Sequence, residues 1–519
     1  MLGDNKNMKI KSALISVSDK SKIEDILPIL KKYKINLISS GGTYNRIKSL
    51  GYKCIEVSEY TNFPEILDGR IKTLHPKIHS GILFKRNKKS HKKILKDLKF
   101  KSIDLVITNF YPFKKTINNT NSHKKIIENI DIGGPTLVRS AAKNYNDVVV
   151  ITKVEQYKSL IKELNFYKGK TSLLFREKLS REAFSETASY DLAIYNYFNK
   201  ISKIKFPDKL IFESKLFQTL RYGENPHQIG AIYTDVENFN LSKIQGKDLS
   251  YNNYNDIFAS LNVSKTMPKN KGVVIVKHAN PSGASIETNH LNSYLSAFNC
   301  DPISAFGGIV SCNFKLTKKV AKEIIKNYYE VVIANGFNKD VLKLFKNKKN
   351  LRLIDSSNIL LKNSKKISSG IDSILVQTTD NQTFEKRNFK VVSKKKPSKK
   401  LMEQIIFSFN ICRAVKSNAI VISQNKKTLG IGSGQPSRLD SCNIAIEKMK
   451  KFNQFNNSDP IIVASDAFFP FLDGVEKLVQ AGVTAIIQPF GSIRDKEVIK
   501  FANDMGLVLV FSKTRHFNH

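Results

Sequence analysis

Apolar and polar positions alternate in a regular rhythm over the first 150 residues. Short apolar, β-branched runs fall at 13–17, 36–39, 54–57, 103–108 and 148–151, and stretches with helical spacing lie between several of them, the clearest at 22–33. Strands alternating with helices predict crossover connections and a mostly parallel sheet covered on both faces. A long amphipathic helix is predicted over 171–198, with Phe175, Leu179, Ala183, Thr187 and Tyr195 on one side. The Lys-rich polar stretch after it, ending near Pro207, places a boundary that divides the chain into 1–200 and 201–519. In the second part, apolar runs at 273–276, 419–423, 461–464, 485–488 and 507–511 read as strands, and 318–326 and 402–416 as helices. Residues 339–400 carry little core pattern apart from 371–377 and are expected to separate two subdomains. No internal repeat is visible.

Composition narrows the class. The 519 residues are 41% hydrophobic, 10% aromatic and 25% charged, a globular balance long enough for several folding units. No apolar run has the roughly 18–20 residues of a membrane span, and the N-terminus lacks a signal-peptide core, so a soluble cytoplasmic protein with no membrane partner is expected. The 85 Lys and Arg against 45 Asp and Glu give a net charge of +40. The lysines are scattered rather than gathered with aromatics on one face. Their excess reads as A/T-rich codon bias combined with attraction for anionic substrates, with a basic nucleic-acid-binding protein as the competing reading. The five cysteines, Cys54, Cys300, Cys312, Cys412 and Cys442, form no C-x-x-C and no zinc spacing, which predicts reduced thiols and no metal.

Candidate chemistry clusters after the predicted strands, where ligands of open parallel sheets bind. The first strand ends in Ser16-Val17-Ser18-Asp19-Lys20 and the second in Ser39-Ser40-Gly41-Gly42-Thr43, a phosphate cradle without the Walker pattern. Residues 68–81, DGRIKTLHPKIHSG, bring Arg70, Lys72, His75, Lys77 and His79 into what reads as an anion-gripping loop. NFYPF (109–113) follows the fourth strand, and DIGGPT (131–136) leads into a helix with Arg139 and Lys143 on one face. In the second part the densest signal is LRYGENPHQ (220–228). Beyond it lie SYNNYND (250–256), the strand end KHANPSG (277–283), DPISAFGG (301–308), VKSNA (415–419), GSGQPSR (432–438), SDAFFPF (465–471) and the terminal RHFNH (515–519).

These motifs, in this order and across essentially the whole chain, resemble the bifunctional family of AICAR transformylase/IMP cyclohydrolases. The resemblance implies an α/β fold, with a methylglyoxal-synthase-like parallel-sheet domain followed by a duplicated cytidine-deaminase-like α/β region divided around 340–400. It implies IMP cyclohydrolase activity in 1–200, closing formyl-AICAR to IMP with loss of water. Lys72, Tyr111, Asp131 and Lys143 would carry that step. Ser16, Ser18, Lys20, Ser40, Gly41, Gly42 and Thr43 would hold the 5′-phosphate, with Arg70 among the substrate-binding residues. It implies AICAR transformylase activity in 201–519, moving a formyl group from the cosubstrate 10-formyltetrahydrofolate to the 5-amine of AICAR. There His278 would act as base, Lys277 as oxyanion stabiliser or acid, and Asn418 as positioner of the formyl oxygen. Arg221, Tyr222, Asn253, Arg438, Arg515, Phe517 and His519 would hold AICAR, and Phe306, Gly307, Phe468 and Pro470 would line the folate pocket. A homodimer is implied, with no nucleic acid. The zinc signature of true deaminases, H-x-E with P-C-x-x-C, is missing. Small departures from the family pattern, at Ser282, Asn335-Gly336, Phe490 and Asn518, leave the catalytic set untouched. A member retaining a single activity is the alternative within the family.

Overall fold

The computed structural model describes residues 7–234, 241–360, 365–382, 384, 386–453, 455–456 and 458–519, and the chain divides into two compact units, Met1–Glu213 and Ser214–His519. The first unit is built on β1 (Ser12–Val17), α1 (Ile23–Lys32), β2 (Asn36–Ser39), α2 (Gly41–Ser49), β3 (Ile55–Glu56), α3 (Pro76–Leu83), β4 (Leu105–Asn109), α4 (Gly133–Lys143), β5 (Val149–Ile151) and α5 (Leu173–Ile201). The strands form one parallel sheet in the order β3-β2-β1-β4-β5. Its inner strands β1 and β4 are buried on both faces, hence their unbroken apolar runs. Ile23, Ile26, Leu27 and Leu30 of α1 repeat every three to four residues and enter this core.

Three expectations shift here. The run 54–57 yields only the two residues of β3, because Val57 already opens a short helix. Residues 76–83 are not loop. Pro76 takes the first helical position of α3, where its missing N–H is harmless, and the His75 ring nitrogen accepts the Lys77 N–H at 3.1 Å. On α5 the buried stripe runs Leu179, Ala183, Thr187, Tyr190, Ala193 and Tyr197, while Tyr195 is only half-buried and donates to the Lys209 carbonyl at 2.9 Å.

The second unit holds a sheet of twelve strands. Its elements are β6 (Ser242–Gln245), α6 (Tyr251–Ser264), β7 (Gly272–Lys277), β8 (Asn280–Ile286), β9 (Ile309–Cys312), β10 (Val331–Ala334), β11 (Arg352–Asp355), a separate hairpin β12 (Lys365–Gly370) and β13 (Ser373–Thr378), β14 (Phe389–Val391), α7 (Lys399–Cys412), β15 (Ile420–Gln424), β16 (Lys427–Gly432), α8 (Arg438–Phe452), β17 (Ile462–Ser465), β18 (Ala485–Pro489) and β19 (Val508–Ser512). The sheet order is β6-β11-β10-β9-β7-β8-β16-β15-β17-β18-β19-β14. That order reads the same from the centre outward on both sides. Each half has a hairpin, a strand antiparallel to it, two further parallel strands and an antiparallel edge strand. The halves join through β8 and β16 at Ser285 and Lys427. The duplication absent from the sequence is therefore plain in the topology.

The segment 339–400 also differs from expectation. Residues up to Asp355 belong to the first half, with Val341, Phe345, Leu353 and Ile354 fully buried. The apolar run 371–377 is not core but lies on the hairpin β12–β13, where Ile371 is 94% exposed.

Candidate active sites

All five strands of this parallel sheet end on one edge, and most of the candidate residues gather there. Ser16 and Ser40, on neighbouring strand ends, bring their hydroxyls to 3.3 Å. The Thr43 hydroxyl accepts from the Val17 N–H at 3.1 Å and donates to its carbonyl at 3.0 Å, so this side chain staples β1 to α2. Lys20 and Lys72 converge over the first turn of α2. A Cβ built on Gly42 would lie 3.6 Å from the Lys20 ammonium, and one on Gly41 3.2 Å from that of Lys72. Two ammonium groups at a helix N-terminus, flanked by Ser16 and Ser40, make a ready anion site. Lys72 also donates to Glu65 at 3.1 Å, a partner that sequence reasoning missed.

Next to the cradle, Asp19 and Asn109 tie the β1 and β4 loops together by two hydrogen bonds. The Asp131 carboxylate caps α4, accepting the Gly134 N–H at 2.9 Å and the Tyr111 N–H at 3.4 Å. Its own N–H donates to the Tyr190 hydroxyl at 2.7 Å. Burial raises the Asp131 carboxyl above its ordinary value, against the lowering pull of those two N–H groups, and burial pushes Tyr190 up to about 12. Lys72, Tyr111 and Asp131 therefore share this edge. Lys143 does not sit with Asp131: it closes α4 at its other end, about 15 Å along the axis from Gly133. The Arg70 guanidinium is engaged in a two-pronged pair with Glu128.

In the second unit β7 delivers Lys277 to its end, and the chain reverses through His278 and Ala279 with Lys277 paired to Asn280. Both turn residues are left-handed, at φ 54° and 57°. Two-residue hairpins favour Asn-Gly at such positions, and a His-Ala pair costs about 1–3 kcal/mol per residue. The Asp256 carboxylate of α6 accepts the Ala279 N–H at 2.6 Å and the His278 N–H at 3.3 Å. Lys277 donates to the Phe306 carbonyl at 2.8 Å, Gly307 is left-handed at φ 74°, and the exposed Phe306 ring lies 5.2 Å from Tyr328. Beside them opens a cavity of about 940 Å³ lined by Tyr222, Asn252, Phe306, Tyr328 and Arg352 among others, and Arg221 stacks 5.8 Å over Tyr222. Asn253 is buried, spent on the cap of α6 and on Glu330 at 2.7 Å.

The second half contributes to the same sheet edge. Its Lys416 N–H donates to Asn280 at 2.8 Å. The Arg438 guanidinium is buried and gives its donors to Asp466, to Ser465 at 2.7 Å and to the Asn418 oxygen at 2.8 Å, which fixes the Asn418 amide. Phe468 and Pro470 follow β17 on this edge, but five strands of separation, about 24 Å at ~4.8 Å each, part them from Phe306 and Gly307. The tail is ordered with alternate residues inward. His516 is buried against Phe384 and Phe409 and bonds Asp380, and Asn518 bonds Ser417 and Ala414. Arg515, Phe517 and His519 face outward, with Arg515 4.6 Å from the Phe517 ring. No alternation in RHFNH marked His516 and Asn518 as the inward residues, since the apolar Phe517 is exposed. Asp256 lay within the SYNNYND motif, but nothing there told it from its neighbours. All five cysteines are free, and burial pushes Cys54 up to about 12. Among the described residues no His/Cys/Asp/Glu trio forms a metal site, and no helix is long and apolar enough to cross a membrane.

A cationic cradle on one strand-end edge, and a left-handed His-Ala turn beside Lys277 on another, are the candidate active sites of this α/β protein. Residues 22–136 match the MGS-like domain and residues 141–448 the AICARFT/IMPCHase bienzyme. The bifunctional purine biosynthesis protein PurH of Leptospira biflexa is 44% identical, spanning 99% of this chain and 100% of its own. Those of Buchnera aphidicola subsp. Schizaphis graminum and Bradyrhizobium diazoefficiens are 44% and 41% identical, over 99% and 98% of this chain and 99% of their own lengths. The chain belongs to the AICARFT/IMPCHase bienzyme family.

Proposed function

We propose that this bifunctional purine-biosynthesis enzyme runs its two reactions in separate units. Formyl transfer from 10-formyltetrahydrofolate to AICAR is assigned to 201–519 and dehydrative closure of formyl-AICAR to IMP to 1–200. The observation that supports this reading is that each unit carries its own set of reactive groups on a strand-end edge, in a chain 41–44% identical over its length to bifunctional relatives.

In the first unit the Lys20–Lys72–α2 cradle would take the 5′-phosphate, with Ser16, Ser18, Ser40, Gly41 and Gly42 as donors and Thr43 as its staple. Nucleophile and electrophile are tethered in formyl-AICAR, so the protein has to hold the reactive rotamer and stabilise the oxyanion. Lys72 is the cation for that charge. Tyr111 and a carboxyl raised by burial, Asp131, are suited to the amide proton. Arg70 and Lys143 serve as outer charges. In the second unit His278 takes the proton of the weakly nucleophilic 5-amine, Lys277 meets the oxyanion, and Asn418, fixed by Arg438, orients the formyl oxygen. Arg221, Tyr222, Arg515, Phe517 and His519 hold AICAR directly, while Asn253 supports the rim through Glu330. The 24 Å between Phe306–Gly307 and Phe468–Pro470, with an exposed apolar hairpin at 365–378, favours a homodimer in which two chains complete one folate pocket. The compartment is the cytoplasm. The test is to supply AICAR and 10-formyltetrahydrofolate and follow IMP; accumulation of formyl-AICAR without IMP, or closure of supplied formyl-AICAR without formyl transfer, would reduce the enzyme to a single activity.

A further inference from the structure

The duplication of the second unit supplies an internal comparison. Both halves have a helix before the hairpin, α6 before β7–β8 and α7 before β15–β16. Both hairpins turn through two left-handed residues, His278-Ala279 in one and Asn425-Lys426, at φ 50° and 59°, in the other. Each helix reaches its own turn from the same place, six residues into the helix: Asp256 in α6 and Gln404 in α7. Gln404 is neutral and accepts one turn N–H, that of Asn425 at 3.0 Å. Asp256 accepts two, from His278 and Ala279. Each turn thus holds one left-handed residue without a short polar side chain, Ala279 in one and Lys426 in the other. The His278-Ala279 turn has the stronger clamp, two N–H bonds to a carboxylate against one to a neutral amide oxygen.

We propose that Asp256 is a positioning residue for formyl transfer, its two carboxylate oxygens locking the Lys277–Asn280 turn so that the Lys277 ammonium and His278 imidazole are held in place together. The inference rests on the transformylase reading above. Lys277 is fixed from the side chain by the Phe306 carbonyl, but His278 is exposed. Its backbone is therefore where its direction is set, and the carboxylate fork is the group that sets it.

Asp256→Asn keeps the volume but leaves one acceptor oxygen. The expected result is a fall in kcat for formyl transfer of roughly tenfold to a hundredfold, the cost of a misplaced catalytic group, with KM for AICAR within about twofold and closure of supplied formyl-AICAR unchanged. Adding Ala279→Gly, which removes the Cβ that resists φ 57°, should recover most of the lost rate. Wild-type kcat in Asp256→Asn, or a loss that Ala279→Gly fails to relieve, overturns the proposal; the latter would make Asp256 a chemical participant. Hydrogen exchange over 277–280 separates this from the functional reading. Faster exchange in Asp256→Asn supports the clamp even if the wild type makes no formyl-AICAR, which would sink the transformylase assignment instead, and unchanged exchange overturns the clamp.

Discussion

Lys277 and His278 are the reactive pair proposed for the second unit. Replacing either with Ala should abolish formyl transfer yet leave closure of supplied formyl-AICAR near wild-type. Equal loss of both activities in a folded variant would refute independent sites. Asp131 offers a titration test. Burial raises its carboxyl above 3.8 in the folded state, against the two N–H bonds it accepts. Such a group keeps its proton longer when folded than when unfolded. It therefore costs the fold stability as pH rises from about 3.8 through the folded value, with the full cost present above it. Measured against Asp131→Asn, which does not titrate, the wild type should lose ground across that window; a constant difference in melting temperature would show an unshifted carboxyl. At this scale much was legible. The segments holding Lys72, Tyr111 and Asp131 stood out because cations, aromatics and glycines crowd there, while the choice of those three residues rested on the family resemblance. Tyr190 and Asp256 did not stand out, since a residue inside a helix acquires its partner only when the fold brings one.

Elements differ in how openly they announce themselves. Strands such as β1, β4 and β15 are buried on both faces and read as apolar runs. β8 (NPSGASI) and β16 (KTLGIG) do not, because helices lie directly on their backbones. A Cβ on Gly283 would fall 1.9 Å from the Ala297 carbonyl oxygen and one on Gly430 2.0 Å from that of Ala445, so close approach requires glycine and erases the apolar signal. The terminal segment is the element with the sharpest prediction. His516 is buried between two phenylalanine rings and bonded to Asp380, whose carboxyl, though burial tends to raise it, is held below its ordinary value by His516 and Arg413. His516→Ala should cost about 2–4 kcal/mol of stability, as a cavity against two aromatic rings together with a lost hydrogen bond does. Arg515→Ala should leave the melting temperature unchanged and raise KM for AICAR about tenfold, the worth of one charge-assisted bond. Thermal denaturation and steady-state kinetics separate the two, and an Arg515→Ala enzyme with unchanged KM would remove the tail from the site.

At the scale of the whole molecule, the twelve-stranded sheet sets which groups can meet. One chain keeps Lys277, His278, Phe306 and Gly307 together, and Asn418, Arg438, Phe468 and Pro470 together, but holds Phe306–Gly307 and Phe468–Pro470 about 24 Å apart. If two chains complete each site, Lys277→Ala and Phe468→Ala should complement each other. Random reassembly of the two inactive variants makes half the dimers mixed, each with one intact site, so about a quarter of wild-type formyl transfer should return. No recovery after verified subunit exchange would place the whole site within one chain. The +40 charge, spread over the surface, has its clearest local use at Lys20 and Lys72.

Local pattern sufficed for the parallel sheet of the first unit, the long helix α5 and most strands of the second, because burial on both faces or along one stripe writes itself into residue order. It drew attention also to the Ser-Gly-Gly-Thr loop after β2, where Gly41 is left-handed at φ 51°, and to the Lys-His end of an apolar strand. The duplication escaped it, since the two halves share strand order and turn conformation, which many side chains satisfy, rather than residues. So did the partners: Asp256 under its turn, Arg438 behind Asn418, Tyr190 against Asp131 and His516 inside the core are each far along the chain from what they hold. Only folding, which trades sequence distance for contact, put them there.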